Sequence, residues 1–147
     1  MKFFAFLAAA LLIVGGIYYT YPGAMNSLDY DFFEVYGSAG YDFGFASVSA
    51  GINYSPNYFG DSGSAVYSSL GVNVPIGEYF YAGANVGYQT ISDEMKFGVP
   101  DYVNWGVNVG ATYEGFDFNI AYTDTDLNDS ECDDLCGAVV FTVSKSF

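Results

Sequence analysis

Seventeen acidic side chains against three basic ones, with no histidine and no arginine, set the chemistry open to this chain. The densest acidic run, Asp124, Asp126, Asp129, Glu131, Asp133 and Asp134, begins like a calcium loop. An EF-hand needs Gly at its sixth position and Glu at its twelfth. Counted from Asp124 those positions hold Asp129 and Leu135, and no helical pattern flanks the run. What remains is weak Ca²⁺ or Mg²⁺ binding, including bridging of these carboxylates to lipopolysaccharide phosphates, set against a plain solvated acidic loop. Two other acids, Glu34 and Asp117, fall on the milder face of alternating stretches. In an open channel they would favour cations; in a packed interior each would be hydrogen-bonded to neighbouring Tyr or Asn. No Ser-His-Asp set can be assembled without histidine, and no pair of carboxylates has a spacing that suggests a hydrolase. The chain is therefore expected to be no enzyme and to need no cofactor.

Cys132 and Cys136 sit four apart in the same acidic loop. An oxidising compartment would close them into a small disulfide loop; free thiols are the alternative. Two thiols without histidine fall short of the four ligands of a structural zinc site. The net charge of −14 argues against nucleic acid, which needs a basic surface.

These groups must be positioned by strands. Aromatics make up 20% of the 147 residues, with 15 Tyr and 14 Phe, and Gly is high at 18. Residues 101–113 alternate without error: Val103, Trp105, Val107, Val109, Ala111 and Tyr113 against Tyr102, Asn104, Gly106, Asn108, Gly110 and Thr112. Residues 116–123, 79–90 and 44–54 repeat the pattern, while 64–74 and 30–41 are noisier. Residues 17–21 and 138–147 supply the first and last of about eight strands. Tight turns are expected at Asp42-Phe43, Ile76-Gly77-Glu78 and Glu114-Gly115, and longer connections at 22–29, 55–63, 91–100 and 124–136. Short turns at one end and long loops at the other is the habit of outer-membrane barrels.

A soluble β-sandwich or lipocalin-like barrel would put the apolar face inside and many charges outside. Here the other face carries Asn, Gly, Ser, Thr and Tyr, with Glu34 and Asp117 as its few charges. That mild face suits an enclosed lumen, and the apolar face suits lipid. Unpaired backbone amides cost several kcal/mol each in hydrocarbon, so a spanning sheet must close. The expected fold is all-β: an antiparallel transmembrane β-barrel of about eight strands, complete or part of a larger barrel. Residues 1–16 read as a signal peptide or as the truncated apolar start of a longer chain, with residues 17–147 as the barrel. An uncleaved apolar first strand or helix is the third reading. The cleavage region is poor, because no A-x-A closes it. At the other end Phe141, Val143 and Phe147 lie on one face, an ending of the type read by the barrel-assembly machinery. Lys145 departs from that pattern and would snorkel to the headgroups.

Several segments together resemble the TorF family of porin-like proteobacterial outer-membrane proteins, also called Gcw_chp and of uncharacterised function. They are GIYYTYPG at 16–23, DYDFFEVY at 29–36, YSPNY at 54–58, DYVNW at 101–105, AYTDTD at 121–126 and VSKSF at 143–147. The resemblance covers roughly residues 15–147. It implies a Gram-negative outer-membrane location and a porin-like role, and it carries over no catalytic residues. Family members usually have further strands ahead of the YYTYPG element, so the resemblance also implies a shortened chain. Three functions follow as expectations: a passive small-solute channel leaning toward cations, a small structural or adhesive barrel acting through its acidic loops, or a remnant of a longer porin. The partners expected are outer-membrane lipid, lipopolysaccharide and the assembly machinery, with no nucleic acid; the oligomeric state is left open.

Overall fold

Among the described residues eight strands follow one another as hairpin neighbours in a single antiparallel sheet, ordered β1 to β8 as in the chain. The computed structural model describes residues 10–132 and 136–146. The strands are β1 Ala10–Tyr19, β2 Phe32–Asp42, β3 Ser47–Ser55, β4 Ala65–Ile76, β5 Phe80–Ile91, β6 Tyr102–Tyr113, β7 Phe116–Thr125 and β8 Ala138–Lys145. Among the described residues β1 and β8 pair with one neighbour each and not with each other, so the sheet has two open edges. No helix among them is long and apolar enough to cross a membrane.

Seven of the eight strands start and end within three residues of where alternation puts them. β1 is the exception. It begins at Ala10, seven residues ahead of Ile17, and residues 10–16 of the apolar start pair with residues 35–41 of β2. An apolar run reads the same as a strand or as a helical segment, so periodicity could not find this strand start. The β2–β3 turn also lies later than expected, at residues 43–46. There the Asp42 carboxylate accepts from the Gly44 amide (2.7 Å) and the Phe43 amide donates to the Ala46 carbonyl (2.9 Å). At Glu114 and Gly115 both φ angles are positive, 49° and 80°, as a two-residue turn matched to the strand twist requires.

The two faces of the sheet are unlike. Along β7, Phe116, Phe118, Ile120 and Tyr122 are exposed, whereas Asp117, Asn119, Ala121 and Thr123 between them are half-sheltered. β3, β4 and β6 repeat this through most of their length, with Ile52, Leu70 and Val109 more than half exposed. The polar face is the sheltered one, so the sheet curls with its polar side inward. Long side chains on that side reach across an intervening strand: the Tyr67 hydroxyl on β4 donates to Asn104 on β6 (3.1 Å), and that of Tyr81 on β5 donates to Asp117 on β7 (2.9 Å).

A conventional apolar core is nearly absent from the strand body. Phe32, Ser55, Ala65, Gln89 and Ile91 are buried at the long-loop end, with buried Ser62 in the loop above them; Ala46, in the β2–β3 turn, is buried at the other end. Three loops interlock over this end. The loop of residues 20–31 carries a 3-10 turn at Asn26–Leu28, the loop of 56–64 another at Phe59–Asp61, and the loop of 92–101 a single helical turn, α1, at Glu94–Phe97. Rings knit them together: Tyr30 stacks on Phe59 at 4.2 Å, Tyr19 on Phe32 at 4.5 Å, and Tyr58 meets Phe32 at 4.8 Å and Phe97 at 5.5 Å.

Candidate functional site

The inward polar wall is the best-built candidate, because every strand contributes to it at period two. Both acids expected there are on it, near opposite ends. Asp117, near the short-turn end of β7, accepts from Tyr81 (2.9 Å) and from the Thr112 hydroxyl (2.9 Å); Asn119 in turn donates to the Tyr81 hydroxyl (3.0 Å). Glu34, near the long-loop end of β2, accepts from the Asn53 amide at a longer 3.3 Å. Each carboxylate therefore has local polar partners. Between them the wall is uncharged and small, with Ser49, Gly71, Asn85 and Gly106 in one hydrogen-bonded row.

Glycine makes room for the aromatic side chains on this wall. A Cβ at Gly110 would run into the Tyr81 ring, and one at Gly87 into the Tyr67 hydroxyl. These rings lie flat along the wall, over bare backbone, and do not project across the interior. A cavity of about 410 Å³ opens at the short-turn end, bounded by Leu11 on one side and by Asn73, Asn85 and Asn108 on the other.

The acidic loop is held differently. Asp124 accepts from its neighbour Tyr122 (2.7 Å) and from the Thr125 amide (2.8 Å). Asp126 accepts from the Val103 amide (2.8 Å), and Glu131 from the backbone and side-chain amides of Asn128 (2.8 and 3.1 Å). Among the described residues no group of three or more His, Cys, Asp or Glu side chains converges as a metal site would need. Asp129 belongs to no such group, and Asp133 and Asp134 lie outside the described residues. Cys132 and Cys136 are joined as a disulfide, with Cα atoms 5.3 Å apart. Of the terminal aromatic signal, Phe141 and Val143 lie on the outward face opposite Ile120 and Phe118, and Phe147 lies outside the described residues. Lys145 sits over the Phe116 ring at 4.3 Å.

Sequence reasoning missed the aromatic loop cap. Its electrostatics follow from its packing. Burial, with nearby Tyr102 and Glu34 adding to it, pushes the Tyr58 phenol up to about 12. Lys96 of α1 donates to the Asp61 carboxylate at 2.8 Å and to its carbonyl at 3.1 Å. That hydrogen bond holds the Asp61 carboxyl below its ordinary range and raises the Lys96 ammonium above its own. The missed signal was compositional: Tyr58, Phe59 and Phe97 are large rings in segments that otherwise read as exposed loops, and Tyr21 and Tyr30 stand at the ends of expected strands beside another such segment.

Against this geometry, the model of one family, described as bacterial protein of unknown function (Gcw_chp), matches residues 6–147. The chain belongs to that family. The match takes in β1 as well as the seven strands after it, so the Gcw_chp pattern extends over the whole described sheet. No curated protein and no solved structure matches the chain.

Proposed function

We propose that this Gcw_chp protein is a β-barrel of the Gram-negative outer membrane, with its apolar face against lipid and its polar face around a lumen. The observation that carries the reading is the inversion of the sheet: large apolar side chains project outward along the strands while Asn, Ser, Thr and Gly are sheltered between them. Water would penalise that arrangement and a bilayer rewards it. Strands of 8–12 residues suit a tilted crossing, and Tyr41, Tyr54, Tyr79 and Tyr113 near strand ends suit interfacial girdles. Both chain ends would then lie with the short turns in the periplasm, and the loop cap and the acidic loop at the cell surface. Membrane lipid, lipopolysaccharide and the barrel-assembly machinery are the partners this reading entails.

Within that frame the first reading is a porin-like channel for small solutes, leaning toward cations because Glu34 and Asp117 stand on the lumen wall. The second is a structural or adhesive barrel acting through its surface loops. It is favoured by the hydrogen bonds that engage both acids and by the interlocked cap over the long-loop end. Planar-bilayer recordings on refolded protein separate the two. Conductance steps whose cation preference falls in Asp117→Asn and Glu34→Gln support the channel. Silence from a folded, heat-modifiable barrel supports the structural role. A chain that keeps its fold, monodisperse, in buffer without detergent overturns both.

A further inference from the structure

The two open edges carry enough information to name their partner. We propose that the β1 edge pairs with the β8 edge of the same chain, in the register that sets Tyr19 opposite Ala138 and Ile17 opposite Val140, and that this seam fills the lumen with apolar side chains. The inference rests on the barrel reading and goes beyond it, because a barrel could equally be completed by a second copy or by further strands.

The register comes from the ladders. Leu11 pairs with Gly40, and the row runs on through Gly71 on β4 and Gly106 on β6 to end on β8 at Ala138. To close, Ala138 must meet β1 some residues beyond Leu11, and that offset is the shear. The inward residues of β1 are odd-numbered and those of β8 even-numbered, so only even offsets keep both faces continuous. An offset of eight, to Tyr19, gives an eight-stranded barrel a strand tilt of about 36°, inside the roughly 35–45° of closed barrels. It also matches all of β8, Ala138–Lys145, to residues 12–19 of β1. An offset of six brings the tilt below that window. An offset of ten puts Ala138 opposite Tyr21, beyond the end of β1.

Side-chain size argues for one chain over two. Among the described residues β1 alone has an inward face that is apolar for most of its length, with Leu11, Ile13 and Ile17. In an eight-stranded ring β5 stands diametrically across from β1. There and on the flanking strands the inward wall is low, because Asn108, the Tyr67 ring and Asn85 lie flat over Gly83, Gly87 and Gly106. The cavity of about 410 Å³ already lies between Leu11 and Asn85 and Asn108 of that wall. Closure within one chain moves bulk into this space. A sixteen-stranded ring of two copies, wide enough for an aqueous channel, would leave the same leucine and isoleucines lining water.

Cysteine pairs read the register directly. In a Cys132→Ser/Cys136→Ser background, Ile17→Cys/Val140→Cys is oxidised in folded, detergent-solubilised protein and in outer membranes. Directly opposed residues lie at about 4.5–5.5 Å between Cα atoms, inside disulfide range. We expect most chains to cross-link within the monomer, seen as altered mobility at unchanged mass and as a joined peptide by mass spectrometry. Ile17→Cys/Thr142→Cys, two residues out of register, stays reduced because its Cα atoms sit beyond about 7 Å. Tyr19→Cys/Ala138→Cys repeats the correct register should the first pair fail to fold. Cross-linked dimers would assign the edge to a second copy and overturn the proposal. A heat-modifiable barrel with no cross-link from either in-register pair would also overturn it while leaving the barrel reading standing. A chain folded in plain buffer fails the barrel reading itself.

Discussion

Aromatic rings serve opposite purposes in the strand body and in the loop cap. Along the strands Phe80, Phe118 and Phe141 point outward and are 43–63% exposed. In the cap Phe32 is 7% exposed, stacked on Tyr19 and edge-on to Tyr58. Residue type is the same; the medium differs. The cap obeys the rule for protein in water, with rings in and carboxylates out. The strand body has the arrangement that a lipid medium would favour, with Phe80, Phe118 and Phe141 out and its amides in. On the barrel reading proposed above, the boundary between the two media falls at the long-loop ends of the strands, close to where Phe32, Ser55, Ala65 and Ile91 become buried.

The largest expected effect tests the cap. Phe32→Ala should destabilise the folded protein by about 3–5 kcal/mol, the cost of emptying a buried aromatic site, read as a drop in the denaturant midpoint in vesicles. Among the described residues the cap is where the large buried side chains gather, so the loss should be the same in thin and thick bilayers. The next effect tests the strand body. Val107 lies mid-strand on β6 and outward, 48% exposed. Val107→Arg should cost about 2–4 kcal/mol in a bilayer, as a charge does at the membrane midplane. A sheet bathed by water would shift by no more than about 0.5 kcal/mol. A neutral Val107→Arg would erase the contrast between the two regions.

The strand body was legible because it repeats. The twelve residues of β6, 102–113, alternate without error, and a period of two states both the element and its faces. Each of the four longer connections was found for the same reason, as the gap between periodic runs. β1 was legible only from Ile17 onward, since an apolar run from Leu11 to Val14 has no alternation to read. The cap was invisible for a different reason. Its contacts join three loops: the Gly60 amide donates to the Asp29 carbonyl, Asp93 to Ser62, and Lys96 reaches Asp61. None of these pairs is near in sequence, and no local pattern encodes which loops meet. The acids Glu34 and Asp117 lie on the polar face, and their partners Tyr81, Thr112 and Asn53 depend on strand register, which alternation alone leaves open.

A smaller effect probes how the inner wall accommodates its rings. Gly110→Ala places a methyl where the Tyr81 ring lies flat. Overpacking of this kind costs about 1–3 kcal/mol, and it should free Tyr81 from Asp117. If the channel reading holds, the same change should lower conductance, because the displaced ring swings into the lumen. Gly40→Ala, on the same wall with no positive φ and only ordinary contact around a would-be Cβ, is the control: it adds the same methyl and crowds nothing.

The smallest effect is confined to the cap and follows pH. Asp61 and Lys96 are both exposed, so their bond is screened by salt and acts on the loops more than on global stability. The Asp61 carboxyl is lowered on folding, so its contribution is whole above the ordinary carboxylate pKa and vanishes as the pH falls through the lowered value. The Lys96 ammonium is raised, so its contribution is whole below the ordinary lysine pKa and vanishes as the pH rises through the raised value. Tyr58, pushed up to about 12 by burial, acts in the same direction as Lys96: its stabilisation is whole below the ordinary phenol pKa of 10.0 and is lost as the pH climbs to about 12. Protease nicking of the loop at residues 56–64 should therefore be slowest between the carboxylate and phenol ranges and faster on both sides. Asp61→Asn should remove the acid limb of that profile and leave the alkaline limb of Tyr58 in place. Loss of both limbs together in Asp61→Asn would mean that the ion pair alone holds the loops down, and that the buried rings which set this end apart from the strand body contribute nothing to closing it.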